Sequence, residues 1–219
     1  MVSVIIPCWG QKYRLLLPRA LKSVHQQSYK PIETIIISEY NTISTALNEG
    51  FKKSSGEYVC FLGADDELHP LFVETTLRYM RDNVGFVWTG TQEKGSSNKI
   101  KLPYRFPTGR LRIYCGFGGQ VGCALFRRAA FKEVGGFDES LTGGEDYDLC
   151  RRIVKAGWEC VGIDDILHFS HVDVPLYRKH KGLRNQLYRK YPELRLTNPA
   201  FRLVRKIGVK IGLMDPLRR

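Results

Sequence analysis

The sequence predicts an α/β fold: a Rossmann-like, mostly parallel central sheet flanked by helices. Three observations carry that expectation. Short β-branched runs, "VSVIIP", "ETIIIS" and "EYVCFL", recur between segments whose apolar residues fall at helical spacing. Strands alternating with helices close as parallel βαβ units. The 219 residues and 43% apolar content suit one such domain with an appendage.

In chain order, residues 2–7 read as a buried strand stopped by Pro7. Leu17, Ala20, Leu21 and Val24 mark one face of a helix over 15–26. A second strand covers 33–38. A helix capped by Thr42 or Ser44 follows, carrying Ile43, Ala46, Leu47 and Phe51 and ending before Gly56. A third strand covers 57–62, a helix with Pro70 near its first turn covers 70–82, and a fourth strand covers 84–90. Residues 91–118 break into Gly, Pro, Ser and Lys and read as loops with short irregular strands forming part of a substrate surface. Residues 122–131 read as a strand turning into a helix. A glycine-rich loop then enters a helix at Glu145 to Ala156, and 159–172 returns as strand and turn.

Charge is uneven. The chain carries +12, and residues 175–219 alone hold 13 basic and 2 acidic side chains. The first 174 residues are close to neutral, so a nucleic-acid groove across the domain is not expected. Six cysteines, at 8, 60, 115, 123, 150 and 160, form no CxxC pair and sit mostly in apolar runs, which predicts buried thiols in a reducing compartment. No run approaches the roughly 20 apolar residues a bilayer span needs, and the N-terminus does not read as a signal peptide. The chain is therefore expected to be cytoplasmic. "GTQEKGSSNK" lacks the spacing of a phosphate loop. Trp88 and Trp158 read as core, and Trp9 as the aromatic that faces a ligand.

Two acidic clusters carry the chemistry, "GADD" ending the third strand and "GGEDYDL" opening a helix. Taken singly, Asp65 and Asp66 suit the start of a turn, and Glu145 and Asp146 suit helix capping. Taken together they suit two tasks: carboxylates at a strand end hold a hard divalent cation, and a carboxylate elsewhere accepts a proton from an attacking hydroxyl. Transfer from a diphosphate-linked donor to an alcohol needs both.

The motifs resemble those of glycosyltransferase family 2, with the GT-A fold. "VSVIIPCWG" is similar to that family's first strand and nucleotide loop. "STALNEGFKKSSGEYVCFLGADDEL" resembles the run into its DxD-type metal motif. "VGGFDESLTGGEDYDLCRRIVKAGW" resembles the acceptor-side ED segment, and "PLYRKH" an Arg-x-His ending. The resemblance covers residues 1–182, leaving 183–219 as a basic helical extension. It implies that Asp65 and His180 hold Mg2+ or Mn2+, with Asp66 orienting the loop or touching the donor sugar. It implies Asp146 as general base with Glu145 beside it. Pro7, Cys8, Trp9, Glu39 and Asn48 would contact a nucleotide-sugar donor, UDP- or GDP-linked, and Arg178 would neutralise the leaving diphosphate. For Asn48, holding a helix-to-loop turn is an equal reading. His168 and His171 read as structural histidines or as substitutes for His180.

The sequence departs from the family pattern at Gly63, which takes the first acidic position, and at Ser38–Glu39, which replace paired aspartates. Only eight residues lie between Glu39 and Asn48, leaving no room for the family's extra strand. The implied activity is inverting sugar transfer to a hydroxyl of a glycan or lipid-linked acceptor. The alternative is a non-catalytic nucleotide-sugar or glycan-binding module. Residues 199–219 form an amphipathic basic pattern that suits either an anionic membrane surface or packing on the domain, with nucleic acid a minor reading.

Overall fold

A computed structural model describes residues 1–95, 98–101, 121–172, 186 and 189–191. Among the described residues eight strands form one sheet: β1 (Val2–Pro7), β2 (Ile32–Ile37), β3 (Tyr58–Phe61), β4 (Glu67–Leu68), β5 (Val84–Gly95), β6 (Ile100–Lys101), β7 (Ala124–Arg127) and β8 (Glu159–Val172). The spatial order is β2-β1-β3-β7-β5-β8-β4, with β6 beside β5. The helices are α1 (Gly10–His25), α2 (Ile43–Lys53), α3 (Phe72–Leu77), α4 (Arg128–Glu133) and α5 (Glu145–Lys155).

The parallel core matches the expectation. β1 pairs in parallel with β2, Ile6 opposite Ile36, and with β3, Ile5 opposite Phe61. Every residue of β1 is buried because helices cover both faces. Val2, Val4 and Ile6 face one core with Leu62, Phe72 and Val73. Ile5 faces the other with Phe61, Phe86, Phe126, Phe131, Leu149 and Ile153. Each such side chain contributes about 1.5–3 kcal/mol by leaving water. α2 lies so close to β1 that a Cβ at Gly50 would stand 2.3 Å from Ile5 Cγ2.

The sheet is mixed rather than uniformly parallel. β7 runs antiparallel between β3 and β5, which restores β5 to the direction of β3, and β8 runs parallel to β5. The two-residue β4, straight after Asp66, pairs antiparallel with β8. β5 continues past the predicted end at 90 to Gly95 because β8 pairs along its whole length.

Helix α1 begins at Gly10, five residues before the predicted start. The predicted helix over 70–82 is only Phe72–Leu77. Its start has no side-chain cap, Thr76 Oγ1 bonds back to the Phe72 carbonyl, and Tyr79 and Met80 close three-residue turns onto Thr76 and Leu77. In α2, Thr42 takes the cap and exchanges hydrogen bonds with Thr45 in a capping box. Cys8, Cys60, Cys123, Cys150 and Cys160 are buried, and Cys115 lies outside the described residues. No helix among the described residues is long and apolar enough to cross a membrane.

Candidate active site

The loops after β1 and β3 open on the same sheet edge. The Cys8 amide bonds the Ile37 carbonyl at 2.8 Å, and the Leu62 amide bonds Ile5 at 2.9 Å. Beyond Leu62 the chain turns, with the Asp66 amide donating to the Gly63 carbonyl at 3.1 Å. The turn brings two carboxylates over Gly63: a Cβ there would lie 2.9 Å from both Asp65 Oδ1 and Asp66 Oδ2. Arg19 of α1 donates to the Asp65 carbonyl, and its Nε stands 3.7 Å from Glu67 Oε1.

The two aspartates differ in their surroundings. Asp66 Oδ1 accepts from the His171 amide at 3.3 Å, and Asp66 Oδ2 lies 3.4 Å from His168 Nε2. Next to it, Glu67 takes His171 Nε2 at 2.5 Å and faces Lys94 at 3.9 Å. Among the described residues, no donor from another residue pairs with the Asp65 carboxylate. Burial, then the charge of Asp66, push the Asp65 carboxyl above the usual range, against its own amide and against Lys12 and Arg19. A half-buried carboxylate with open lone pairs, over a cradle that a side chain would fill, fits a hard divalent cation that keeps positions for phosphate oxygens. Among the described residues no three His, Cys, Asp or Glu side chains converge as a complete cage, and in this loop the Asp65 carboxylate is the one left open.

The second acidic segment reaches the same region. The loop before α5 ends at Gly144, at φ +80°, a left-handed conformation that glycine adopts without strain. It launches a helix with Glu145, Asp146 and Asp148 in its first turn, where the helix dipole favours negative charge. Asp146 Oδ2 accepts from the Val121 amide at 3.2 Å. The neighbouring Gly122 sits against His168, a Cβ there falling 3.0 Å from Nε2, and its other neighbour is the Phe61 carbonyl at 3.5 Å. Asp66, His168, the turn at Val121–Cys123 and Asp146 thus form one chain of contacts.

Although Asp146 as a residue keeps some exposed surface, its carboxyl is withdrawn from water. Burial, then the charge of Glu145, push it up to about 7, with the Val121 amide opposing. A carboxyl poised there suits a general base near neutral pH.

The profile described as "Glycosyl transferase family 2" matches residues 34–135. A second, described as "N-terminal domain of galactosyltransferase", matches residues 108–174. Residues 34–135 thus match glycosyltransferase family 2. The chain is 25% identical over 223 residues to the amylovoran biosynthesis glycosyltransferase AmsB of Erwinia amylovora, covering 82% of this chain and 72% of AmsB. It is 30% identical over 192 residues to the uncharacterized glycosyltransferase RC0461 of Rickettsia conorii, covering 71% of this chain. The chain spans only 31% of the length of that relative. Among solved structures it is similar to S. aureus TarS 1–349 in complex with UDP-GlcNAc, with TM-score 0.68, 13% identity, and coverage of 96% of this chain and 75% of that one. It is also similar to the mannosyltransferase PcManGT from Pyrobaculum calidifontis in complex with GDP-Man and Mn2+, with TM-score 0.64, 15% identity, and coverage of 96% and 74%. The fold is therefore GT-A.

In this GT-A domain the remaining sequence-predicted residues are placed as follows. Pro7 and Cys8 are buried at the end of β1, and burial raises the Cys8 thiol despite Arg14. Trp9 is 62% exposed at the start of α1, and Glu39 is exposed after β2. β2 is the outer strand of the described sheet, in keeping with the short passage from Glu39 to Asn48. The Asn48 amide is engaged elsewhere: Nδ2 donates to the Phe137 carbonyl at 3.0 Å and to Glu139 at 2.8 Å, while Oδ1 accepts from the Phe137 amide at 2.9 Å. This is the turn-holding role of the two readings. Gly136, at φ +75°, brings its backbone against that amide, a Cβ falling 2.7 Å from Asn48 Oδ1. Arg178 and His180, and the tail 199–219, lie outside the described residues.

Sequence reasoning did not single out Asp148, Lys190 and Tyr191. Asp148 is fully buried two residues past Asp146. It accepts from Arg152 Nε at 2.7 Å, Tyr191 Oη at 2.7 Å and Lys190 Nζ at 2.6 Å. Lys190 also reaches Asp138 at 2.6 Å, and Gln186 accepts from the Thr142 amide at 2.9 Å. Described residues of the predicted extension thus dock on the loop and helix that carry Asp146. The only signal in the sequence was a third acidic residue, Asp148, following Glu145 and Asp146 in the first turn of the helix.

Proposed function

We propose that the chain transfers one sugar from a nucleoside-diphosphate donor to a hydroxyl of a glycan or lipid-linked acceptor, with inversion and with a divalent cation. The observation that carries this reading is the continuous contact path from the Asp65–Asp66 loop through the Val121–Cys123 turn to Asp146. Two carboxylate sites of different character border one region of the molecule.

In this reading Asp146 accepts the proton of the acceptor hydroxyl as its oxygen forms a bond to the anomeric carbon. The bond from that carbon to the diphosphate oxygen breaks, and the nucleoside diphosphate departs with the electron pair. Burial first, and the charge of Glu145 beside it second, raise this base to about 7. Asp65 would hold Mg2+ or Mn2+, which when bound neutralises the diphosphate charge. Asp66 is occupied with β8 and orients the loop. The reading assigns one base and, among the described residues, no protein nucleophile, which accords with direct displacement. AmsB, named for amylovoran biosynthesis, supports a polysaccharide precursor as acceptor. TarS with UDP-GlcNAc and PcManGT with GDP-Man and Mn2+ support a nucleotide-sugar donor and a metal. A cytoplasmic position, peripheral at a membrane through the basic C-terminus, accords with a lipid-linked acceptor.

A thermal-shift screen of UDP- and GDP-sugars with and without Mn2+ tests the donor, followed by donor-hydrolysis assays. Asp65→Asn is expected to abolish the Mn2+-dependent part of the shift. An unchanged Mn2+ titration in that variant would refute the ligand assignment. Donor binding with no turnover across donors and acceptors would favour the non-catalytic module.

A further inference from the structure

His168 is fully buried on β8 and is not accounted for by the transfer chemistry. Its Nδ1 lies 3.2 Å from Oγ1 of Thr91, itself buried on β5. Its Nε2 lies 3.4 Å from Asp66 Oδ2 and makes no hydrogen bond of good angle. The same ring edge abuts Gly122, which has no side chain to push it away. With the Thr91 hydroxyl donating to Nδ1, the ring carries its proton on Nε2, on the side of the Asp66 carboxylate, a tautomer assigned from the acceptor opposite. The other Asp66 oxygen is held by the His171 amide. Asp66 therefore faces β8 with both oxygens, hydrogen-bonded at one and opposed by the His168 ring at the other, while Asp65 is left open.

We infer that His168 is a positioning residue: it ties Asp66, and with it the loop bearing Asp65, to Thr91 and to the Val121–Cys123 turn that holds Asp146, and does not itself ligate the cation. Two observations favour positioning over ligation. The Nε2 edge is already confronted by Asp66 and by the Gly122 backbone, and His168 joins no cluster of three potential ligands among the described residues. Groups that orient a ligand-bearing loop influence cation affinity without touching the cation.

The inference rests on the proposed cation site, and the test separates the two. Mn2+ is titrated by calorimetry into the full chain with saturating UDP, and separately with GDP, for wild type, His168→Asn, His168→Gln and Thr91→Val. The amide of Gln reaches the Nε2 position and that of Asn the Nδ1 position. His168→Asn is expected to weaken Mn2+ affinity about 10-fold or more. His168→Gln is expected to return it to within about 3-fold of wild type, and Thr91→Val to fall between them. Nitrogen coupling in the Mn2+ spin-echo spectrum is expected to be the same in wild type and His168→Gln. Loss of that coupling in His168→Gln, or undiminished affinity in Thr91→Val and His168→Asn, would overturn the positioning role. A wild type that binds no Mn2+ with either nucleotide would refute the cation site and this role together. Thermal melting without Mn2+ identifies any variant that fails to fold, and the Thr91→Val comparison then decides.

Discussion

Asp146→Asn should produce a protein that is inactive and more stable than wild type, by an amount that depends on pH. The folded state raises the Asp146 carboxyl from the usual 3.8 to about 7, through burial first and the Glu145 charge second. The folded protein therefore holds this proton more tightly than the unfolded chain does. Between about pH 4 and 7 wild-type stability falls as pH rises, and above 7 the cost of the buried charge is complete. At 1.36 kcal/mol per pH unit, a rise from 3.8 to about 7 amounts to about 4 kcal/mol. Because the residue keeps some exposed surface, solvent screening brings the expected gain to about 2 kcal/mol. Asparagine removes the charge, and its carbonyl retains the hydrogen bond from Val121.

Urea denaturation of both proteins at pH 5.5 and pH 8.5, at one ionic strength, provides the measurement. The stability difference should be larger at pH 8.5 and flat above it. An equal difference at both pH values, or a less stable variant at pH 8.5, would refute the buried-charge argument. In the wild type the acid limb of kcat/KM should fall near pH 7. Glu145→Gln removes the second cause and should move that limb to lower pH, the two carboxyls titrating as a pair.

Asn48→Ala should lose about 2 kcal/mol of stability, since three hydrogen bonds to Phe137 and Glu139 disappear. Mn2+ binding in the presence of UDP should be unchanged in this variant, as calorimetry would reveal. Tyr191→Phe keeps the ring over Arg151 but removes the hydroxyl from Asp148, and should cost about 1–2 kcal/mol in urea melts.

The parts of the fold legible in the sequence were those whose cause is local. β1 could be read to the residue because both its faces are buried and Pro7 ends it. The start of α5 was visible because glycines precede a run of carboxylates that the helix dipole favours. α3 was overextended because Leu77 and Met80 continue the apolar spacing while the backbone has already tightened into three-residue turns. β4, and the antiparallel direction of β7, were missed for a different reason: both are fixed by tertiary pairing. The Asp66 carboxylate meets the amide of His171, 105 residues away, and no local pattern encodes that. The Asp148 contacts with Lys190 and Tyr191 are hidden in the same way. Asp65, Asp66, Glu145 and Asp146 were found because charge at a strand end or helix start stands out against the apolar runs beside it. His168, which faces one of them, reads as any other histidine in a strand.

Gly63 draws these observations together. An acidic side chain there would have to begin at a Cβ only 2.9 Å from Asp65 Oδ1 and Asp66 Oδ2, so both carboxylates would have to swing aside to admit it. The departure from the usual motif is thus the condition for the two following carboxylates to close over the turn. That arrangement concentrates negative charge, which is why Asp66 is the second cause of the raised Asp65 carboxyl after burial. β8 constrains Asp66, and Lys12 and Arg19 offset part of the repulsion, but nothing among the described residues neutralises Asp65 directly. A divalent cation would remove the repulsion and restore solvation to the carboxylate in one step. Its affinity should therefore weaken as pH falls toward the raised pKa of Asp65, protons and metal competing for the same oxygens.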